Sequence, residues 1–203
     1  MNNLAYGNQD REKIAPKVEE LLRKELAAGG PLGFELEDAP AGDVSTRTLL
    51  RDAAVALFGG SEIPLFTIHF HPTQPRAFDL DVHLNRQGMG CIGGPLAYAT
   101  VVNRRVGGEI SFGNDGKFAG DAEGAGKLNT KKDLLKKCDA FAVTEGGLDG
   151  FKLKIPRTMK IVPHEGGARL VAVTLPRSKS MGFSASLSSK EFLEIAALVE
   201  ATL

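Results

Sequence analysis

The chain has 203 residues, of which 42% are hydrophobic and 25% charged, and these proportions suit one globular domain with its own core. The N-terminal segment is too polar for a signal peptide, and the apolar run at 53–58 is far shorter than the ~20 residues that cross a bilayer. The two cysteines lack C-x-x-C spacing, which indicates reduced thiols. We therefore expect a soluble, cytoplasmic protein that makes no contact with membranes.

Two amphipathic helices are predicted near the N-terminus. Apolar residues recur at helical spacing over 13–28, Pro16 fits only a first helical turn, and the Gly-Gly-Pro sequence at 29–31 ends the pattern. A second apolar stripe of the same period spans 46–58. Between these helices, residues 34–36 alternate apolar and acidic side chains, which indicates a short edge strand.

From residue 63 onward the hydrophobic period changes to two, which predicts β-strands. Residues 96–103 fit a strand or a helix. A short helix is predicted to begin near residue 129, and a final helix spans 189–202, with Ser188 and Glu191 forming a capping box. The predicted strands lie at 64–71, 77–84, 109–113, 139–144, 151–155, 158–163, 168–175 and 181–187.

Runs of strands, each closed by a helix, predict an α+β fold in which a mostly antiparallel sheet packs against the two N-terminal helices. The segments 127–137 and 186–196 share three residues at an offset of 59, so a duplicated strands-then-helix unit and coincidence both remain open. The predicted division is an N-terminal helical segment, 1–62, and a β-rich domain, 63–203, with repeats at 63–137 and 138–203 if the duplication is real.

The stretch 66–85 concentrates three of the four histidines together with two aspartates. Successive strand residues point to opposite faces of a sheet, so the five polar residues are predicted to share one face of a β-hairpin. A hairpin centred on Gln74 would place His69 opposite Asp79. The five residues of this polar face are His69, His71, Asp79, Asp81 and His83.

Two interpretations of the polar face are open. An antiparallel sheet commonly exposes polar residues on one side, and a histidine opposite an aspartate is a favourable pair without any ligand. Alternatively, two imidazoles and one carboxylate can hold a transition metal and leave positions open for a substrate, with His69, His71 and Asp79 as the best trio. The alternation favours a solvent-exposed face without a cofactor, and a metal-dependent enzyme is the alternative.

A glycine-rich loop follows this stretch, with Gly88, Gly90 and Gly93 at the G-x-G-x-x-G spacing of dinucleotide-binding turns. The preceding strand alternates polar and apolar residues, whereas the central parallel strand of a dinucleotide fold is apolar throughout. Cys91 in this loop lacks the glycine spacing of a nucleophile elbow. We therefore predict a turn between strands with an unreactive cysteine.

Charge is unevenly distributed, although the net charge is zero. Residues 1–126 carry 12 Lys and Arg against 17 Asp and Glu, whereas residues 127–180 carry 12 against 5. Because clustered positive charge binds phosphates through counterion release, we predict a non-enzymatic binding protein for nucleic acid or another polyanion. A solvated lysine-rich face is one alternative, and a structural subunit that assembles as a homo-oligomer through its sheet edges is another. The predicted polyanion-binding residues are Lys131, Lys132, Lys136, Lys137, Lys152, Lys154, Arg157 and Lys160.

Overall fold

The predicted α+β class with an antiparallel sheet is confirmed by a computed structural model of the chain. It describes residues 11–37, 44–58, 65–85, 95–146, 151–154, 158–179 and 184–203. The helices in these ranges are α1 Arg11–Leu26, α2 Val44–Phe58, α3 Ala122–Asn129, α4 Lys132–Ala142 and α5 Ser189–Thr202. The strands are β1 Glu35–Glu37, β2 Leu65–Phe70, β3 Asp79–Asn85, β4 Leu96–Val102, β5 Ile110–Phe112, β6 Phe118–Gly120, β7 Val143–Gly146, β8 Phe151–Lys154, β9 Met159–His164, β10 Gly167–Thr174, β11 Arg177–Lys179 and β12 Ser184–Ser186.

Eight of these strands form one sheet in the order β1-β2-β3-β4-β10-β9-β5-β6, and every neighbouring pair in it is antiparallel. The strands β7 and β8 form a separate two-stranded ribbon, and β11 and β12 form another. The large sheet mixes strands from both proposed repeats, because β9 and β10 lie between β4 and β5. The division into domains and repeats stays a prediction.

The main core lies on one face of the sheet, between its strands and the helices α1, α3, α4 and α5. Tyr98 of β4 occupies its centre: its ring centroid lies 4.8 Å from that of Phe192, and its hydroxyl donates a hydrogen bond to the carbonyl of Leu187. Aromatic packing of this kind adds to the hydrophobic stabilisation of the buried rings. It fixes α5 on the centre of the sheet.

A second, smaller core covers the opposite face, where α2 packs on β4 and β10. The sheet is therefore covered by helices on both sides, and its central strands have apolar residues on both faces. The members of this second core are Leu49, Leu50, Ala53, Ala97, Ala99, Val171, Val173 and Leu175.

One open choice is settled and two of the predicted elements change. Residues 96–102 form a strand, which settles the choice between strand and helix. The strand predicted over 139–144 was wrong: most of that segment belongs to α4, because Leu134, Cys138 and Phe141 recur at helical spacing and are all buried. The single short helix predicted near residue 129 is in fact two helices, α3 and α4.

The N-terminus of α5 is capped by a side chain from α1. The predicted capping box was wrong, because the side chain of Ser188 makes no capping hydrogen bond. The Glu25 carboxylate instead accepts hydrogen bonds from the backbone N–H groups of Leu187 at 2.6 Å and Ser189 at 3.1 Å, and from the hydroxyl of Ser186 at 3.0 Å. A negative charge at a helix N-terminus also interacts favourably with the helix dipole.

Strand β6 lies at one edge of the sheet, and a side chain forms hydrogen bonds with its backbone. The Asn129 amide donates a hydrogen bond to the Phe118 carbonyl and accepts one from the Phe118 backbone N–H, both at 2.8 Å. This pair imitates one step of strand pairing and reduces the tendency of the edge to pair with another chain. Among the residues that the structure describes, no helix is both long enough and apolar enough to cross a membrane.

Candidate functional site

The strands β2 and β3 place His69 opposite Asp81, so the predicted pairing of His69 with Asp79 was wrong by two residues. The connection between the strands is longer than predicted, and the backbone N–H of Phe78 closes it by donating to the carbonyl of Pro72 at 3.1 Å. Because side chains alternate with a period of two, a shift of two residues leaves every histidine and aspartate on the predicted face.

Each of the three histidines forms a hydrogen bond through Nδ1 with a side chain of the neighbouring strand. The pairs are His69–Asp81 at 2.7 Å, His71–Asp79 at 2.8 Å and His83–Thr67 at 2.9 Å. Within the described residues, no three His, Cys, Asp or Glu side chains are arranged to hold one metal ion. The geometry thus consists of separate pairs, and the metal trio stays a prediction without geometric support.

Most of the predicted solvent-exposed face is buried. His69, Asp81 and His83 are 3%, 7% and 0% exposed, whereas the side chain of His71, just beyond the end of β2, is 56% exposed. The prediction of a wet face was wrong because α2 packs on this side of the sheet and Thr46, in its first turn, lies near the histidines. Only the end of the polar face with His71 opens to solvent.

The two buried histidines have pKa values that move in opposite directions. The hydrogen bond with Asp81 raises the pKa of His69 despite its burial, and Glu37, whose Oε2 lies 3.4 Å from Nε2, adds to the effect. Burial lowers the pKa of His83 to about 4, so this histidine is neutral near pH 7.

A cleft of about 730 Å³ opens beside His71, where the β2–β3 connection meets β4, the β9–β10 turn and the end of α5. Most ligand-binding clefts fall between ~300 and 1,000 Å³. Four basic side chains and two carboxylates line it. They are His71, Arg76, His164 and Arg169, with Asp79 and Glu200.

Both carboxylates of the cleft are already paired with its basic groups. Asp79 Oδ1 accepts the hydrogen bond from His71, and its Oδ2 lies 3.5 Å from the Arg169 guanidinium. Glu200 lies 2.6 Å from Nη2 of Arg76. Burial opposes ionisation of Glu200, but the hydrogen bond and charge of Arg76 outweigh it and lower the pKa of this carboxyl.

Hydrogen bonds also fix one wall of the cleft. Nη2 of Arg76 donates to the carbonyl of Val101 at 2.5 Å, which ties the β2–β3 connection to β4. Nε of Arg104 donates to the backbone carbonyl of Glu200 at 3.1 Å, which ties the end of β4 to α5. The backbone segments that carry the charged groups of the cleft are therefore held in place by hydrogen bonds.

A smaller cavity of about 180 Å³ lies next to the cleft, under α2. Thr46, His69 and Asp81 line this inner cavity, and it shares His71, Asp79 and Arg169 with the cleft. The exposed and buried histidine–aspartate pairs are thus neighbours, and the His71–Asp79 pair forms the boundary between the two spaces.

The predicted basic residues are only partly brought together. Lys131, Lys132 and Lys136 are exposed where α3 meets α4. Lys137 is held by Glu194 at 2.5 Å, and Lys160, on β9, is held by Glu109 at 2.8 Å with its side chain only 13% exposed. Lys137 and Lys160 thus each already have a carboxylate partner.

The remaining predicted basic residues lie in less fully described segments. Lys152 and Lys154 belong to β8, where they pair in register with Glu145 and Val143 of β7. Arg157 lies outside the described residues, as does the glycine-rich loop with Cys91.

Cys138, the other cysteine, is a core residue of α4. Burial raises the pKa of its thiol to about 12, and its Sγ lies 3.6 Å from Sδ of Met159. A buried thiol with a raised pKa is a poor nucleophile.

Sequence reasoning missed four residues of the cleft, Arg76, His164, Arg169 and Glu200. They come from four separate segments of the chain. Arg76 lies on the β2–β3 connection and His164 at the end of β9, whereas Arg169 lies on β10 and Glu200 on α5. Arg76 follows a proline-rich turn, which predicts a surface connection but no partner. A local motif could not have found this group.

Comparisons of the chain with protein-family models, with curated proteins and with solved structures found no match.

Proposed function

We propose that the protein is a non-enzymatic binding protein whose ligand is a small anion held in the cleft. The observation that carries the proposal is the convergence of His71, Arg76, His164 and Arg169 on one cleft whose carboxylates already have basic partners. The proposal keeps the predicted non-enzymatic binding role, but it replaces nucleic acid or another polyanion with a small anion as the ligand. It assigns the site to the sheet rather than to the lysine-rich segment.

Two arginines of the cleft are the groups that would contact an anion. The formal charges of its two arginines and its two carboxylates balance. Arg104 adds a further guanidinium beside Glu200. Guanidinium groups bind carboxylates and phosphates through paired hydrogen bonds, and partial exclusion of water strengthens these bonds.

The paired histidines also bear on the alternative of a metal-dependent enzyme. A histidine bound through Nδ1 to a carboxylate keeps Nε2 for one further contact. The buried Nε2 of His69 lies 3.4 Å from Oε2 of the exposed Glu37, and His83 is fully buried. Of the three, His71 is the one exposed in the larger cleft, whereas His69 lines the smaller inner cavity. This arrangement supports anion binding better than shared coordination of one ion.

Titration of inorganic phosphate into the protein at low ionic strength, followed by calorimetry, tests the proposal. Arg169→Gln should weaken binding about tenfold or more, because it removes one charge-assisted contact. Arg47→Gln, at an exposed position on α2, is the matched control and should leave binding unchanged. Circular dichroism checks that both variants are folded. Wild-type protein that binds neither phosphate nor acetate in a saturable way would refute the proposal.

Binding of a polyanion at the α3–α4 junction is a second candidate. It is favoured by Lys131, Lys132 and Lys136, which are exposed within about two helical turns of one another. This surface is separate from the cleft, so the two candidates can be tested independently.

A further inference from the structure

We infer that the ligand of the cleft is an organic anion that carries an apolar group, and that Val101 contacts this group. The inference rests on the proposed function, because the charged part of the same ligand would occupy the basic groups of the cleft. It adds the chemical class of the ligand and one residue that selects it.

Val101 is an unusual exposed residue. It is 40% exposed, and among the described residues only one other large hydrophobic side chain, Val55 at 53%, is classed as exposed. Val55 lies on α2, where a single exposed apolar residue is ordinary. Val101, in contrast, lies on β4, an interior strand of a sheet that is covered by helices on both faces.

Val101 is exposed because the second core ends before this residue along β4. Ala97, Ala99 and Val101 alternate along one face of β4. The first two are buried in the second core with α2, at 2% and 5% exposure, whereas Val101 lies beyond that core and lines the cleft. An interior strand thus presents an apolar side chain to the cleft.

Other apolar residues extend this surface. They come from the β2–β3 connection and from β4, and they line the same cleft. The apolar lining consists of Pro72, Pro75, Ala77, Phe78, Ala99 and Val101, of which Pro75, Ala77 and Val101 are exposed. Ligand sites combine such apolar walls with a few polar groups that fix orientation.

The anion-binding groups flank Val101 on two sides. Arg169 lies directly opposite it on β10, and opposed Cβ atoms of antiparallel strands are ~5 Å apart. Arg76 donates its hydrogen bond to the carbonyl of Val101 itself. A ligand whose anionic group contacts Arg169 would therefore place its neighbouring atoms over Val101. Inorganic phosphate has no such atoms and would leave the valine in water, whereas an aryl phosphate would cover it.

A matched pair of ligands, inorganic phosphate and phenyl phosphate, tests the inference by calorimetry on the wild-type protein. Phenyl phosphate should bind about tenfold more tightly or better, since burial of apolar surface favours association. Its binding should also show a more negative heat-capacity change, which is the signature of apolar burial. Equal affinities for the two ligands would overturn the inference and leave the proposed function intact. Failure of both ligands to bind would refute the proposed function itself.

Variants at the two exposed valines identify the residue that is responsible for the tighter binding of phenyl phosphate. Val101→Ser should remove most of the advantage of phenyl phosphate and leave the affinity for inorganic phosphate unchanged. Val55→Ser is the matched control and should keep the full advantage. If Val101→Ser does not fold, Val101→Thr keeps the β-branched shape that suits a strand and should reduce the advantage in part. An unchanged advantage in a folded Val101 variant would overturn the inference.

Discussion

Nδ1 of His69 lies 2.7 Å from Oδ1 of Asp81, and both residues are almost completely buried between β2 and β3. Asp81 also raises the pKa of His69, so the pair is strongest when the imidazole is protonated. The segment that is richest in histidine thus contributes mainly a buried polar network, and only its end at His71 reaches the cleft.

Removal of one partner from this buried pair should destabilise the protein markedly. Asp81→Ala should lower the free energy of unfolding by ~3 kcal/mol, because it leaves the buried His69 imidazole without its acceptor. Asp79→Ala breaks the exposed pair with His71 and the contact with Arg169, and because Asp79 is half-exposed it should cost less than ~1 kcal/mol. Urea denaturation measures both values. Equal effects would mean that the burial difference between the two pairs does not exist in solution.

Strand alternation was sufficient to predict that these polar residues share one face. The two-residue error in the register did not matter for this property, since it preserves the side of the sheet on which each residue lies. Burial of the face was not predictable, because it depends on α2, whose pattern indicates a helix but not the sheet face that it covers. Alternation of polar and apolar residues indicates that the two faces of a sheet differ. It does not show that the polar face is exposed to solvent.

The fully buried His83 should make stability depend on pH in a defined window. Its pKa is lowered to about 4 in the folded protein from 6.5, so between these values the unfolded chain takes up a proton that the folded chain does not. The contribution is fully present above pH 6.5 and is lost as the pH falls toward 4, by roughly 3 kcal/mol in total.

Replacement of this histidine isolates its contribution. His83→Gln should be less stable than wild type at pH 7, since it disturbs a buried position, but its stability should fall less steeply between pH 6.5 and 4. Chemical denaturation of both proteins across this range measures the two slopes. Parallel pH profiles would show that His83 titrates in the folded protein as it does in the unfolded chain.

The contact between α1 and α5 predicts that loss of the Glu25 side chain destabilises the protein more than loss of the Glu20 side chain on the same helix. Glu25→Ala removes the acceptor of three hydrogen bonds at the start of α5 and should cost ~2 kcal/mol of stability. Glu20→Ala, on the same helix, breaks only an exposed pair with Lys24 and should change the unfolding midpoint little. If the two variants unfold together, Glu25 does not cap α5.

The local sequence predicted the start of α5 but not its cap. Ser188 and Glu191 have the spacing of a capping box, and the helix does begin at Ser189. The carboxylate of Glu25, which is 164 residues from Ser189 along the chain, instead accepts a hydrogen bond from the backbone N–H of Ser189. The same limit applies to the cleft, whose arginines lie on β10 and on the β2–β3 connection and meet only after the sheet has formed.

The lysines at the α3–α4 junction predict salt-dependent binding of single-stranded oligonucleotides. Lys131→Glu combined with Lys136→Glu should weaken binding and reduce the slope of log affinity against log salt by about 0.7 for each phosphate that the variant no longer neutralises. Lys17→Glu, at an exposed position on α1, is the control and should have a smaller effect. Fluorescence anisotropy at several salt concentrations gives the slopes. No binding even at low salt would identify the lysines as a solvated surface.

The central claim, that the cleft binds small anions, is tested most directly by NMR of the imidazole groups during a phosphate titration. The chain has only four histidines, which makes their signals simple to assign. The signals of His71 and His164, which line the cleft, should shift with a common saturable dependence on phosphate. The signal of His83, which is fully buried outside the cleft lining, should stay in place. Signals of His71 and His164 that do not move, or that drift without saturation, would contradict the claim.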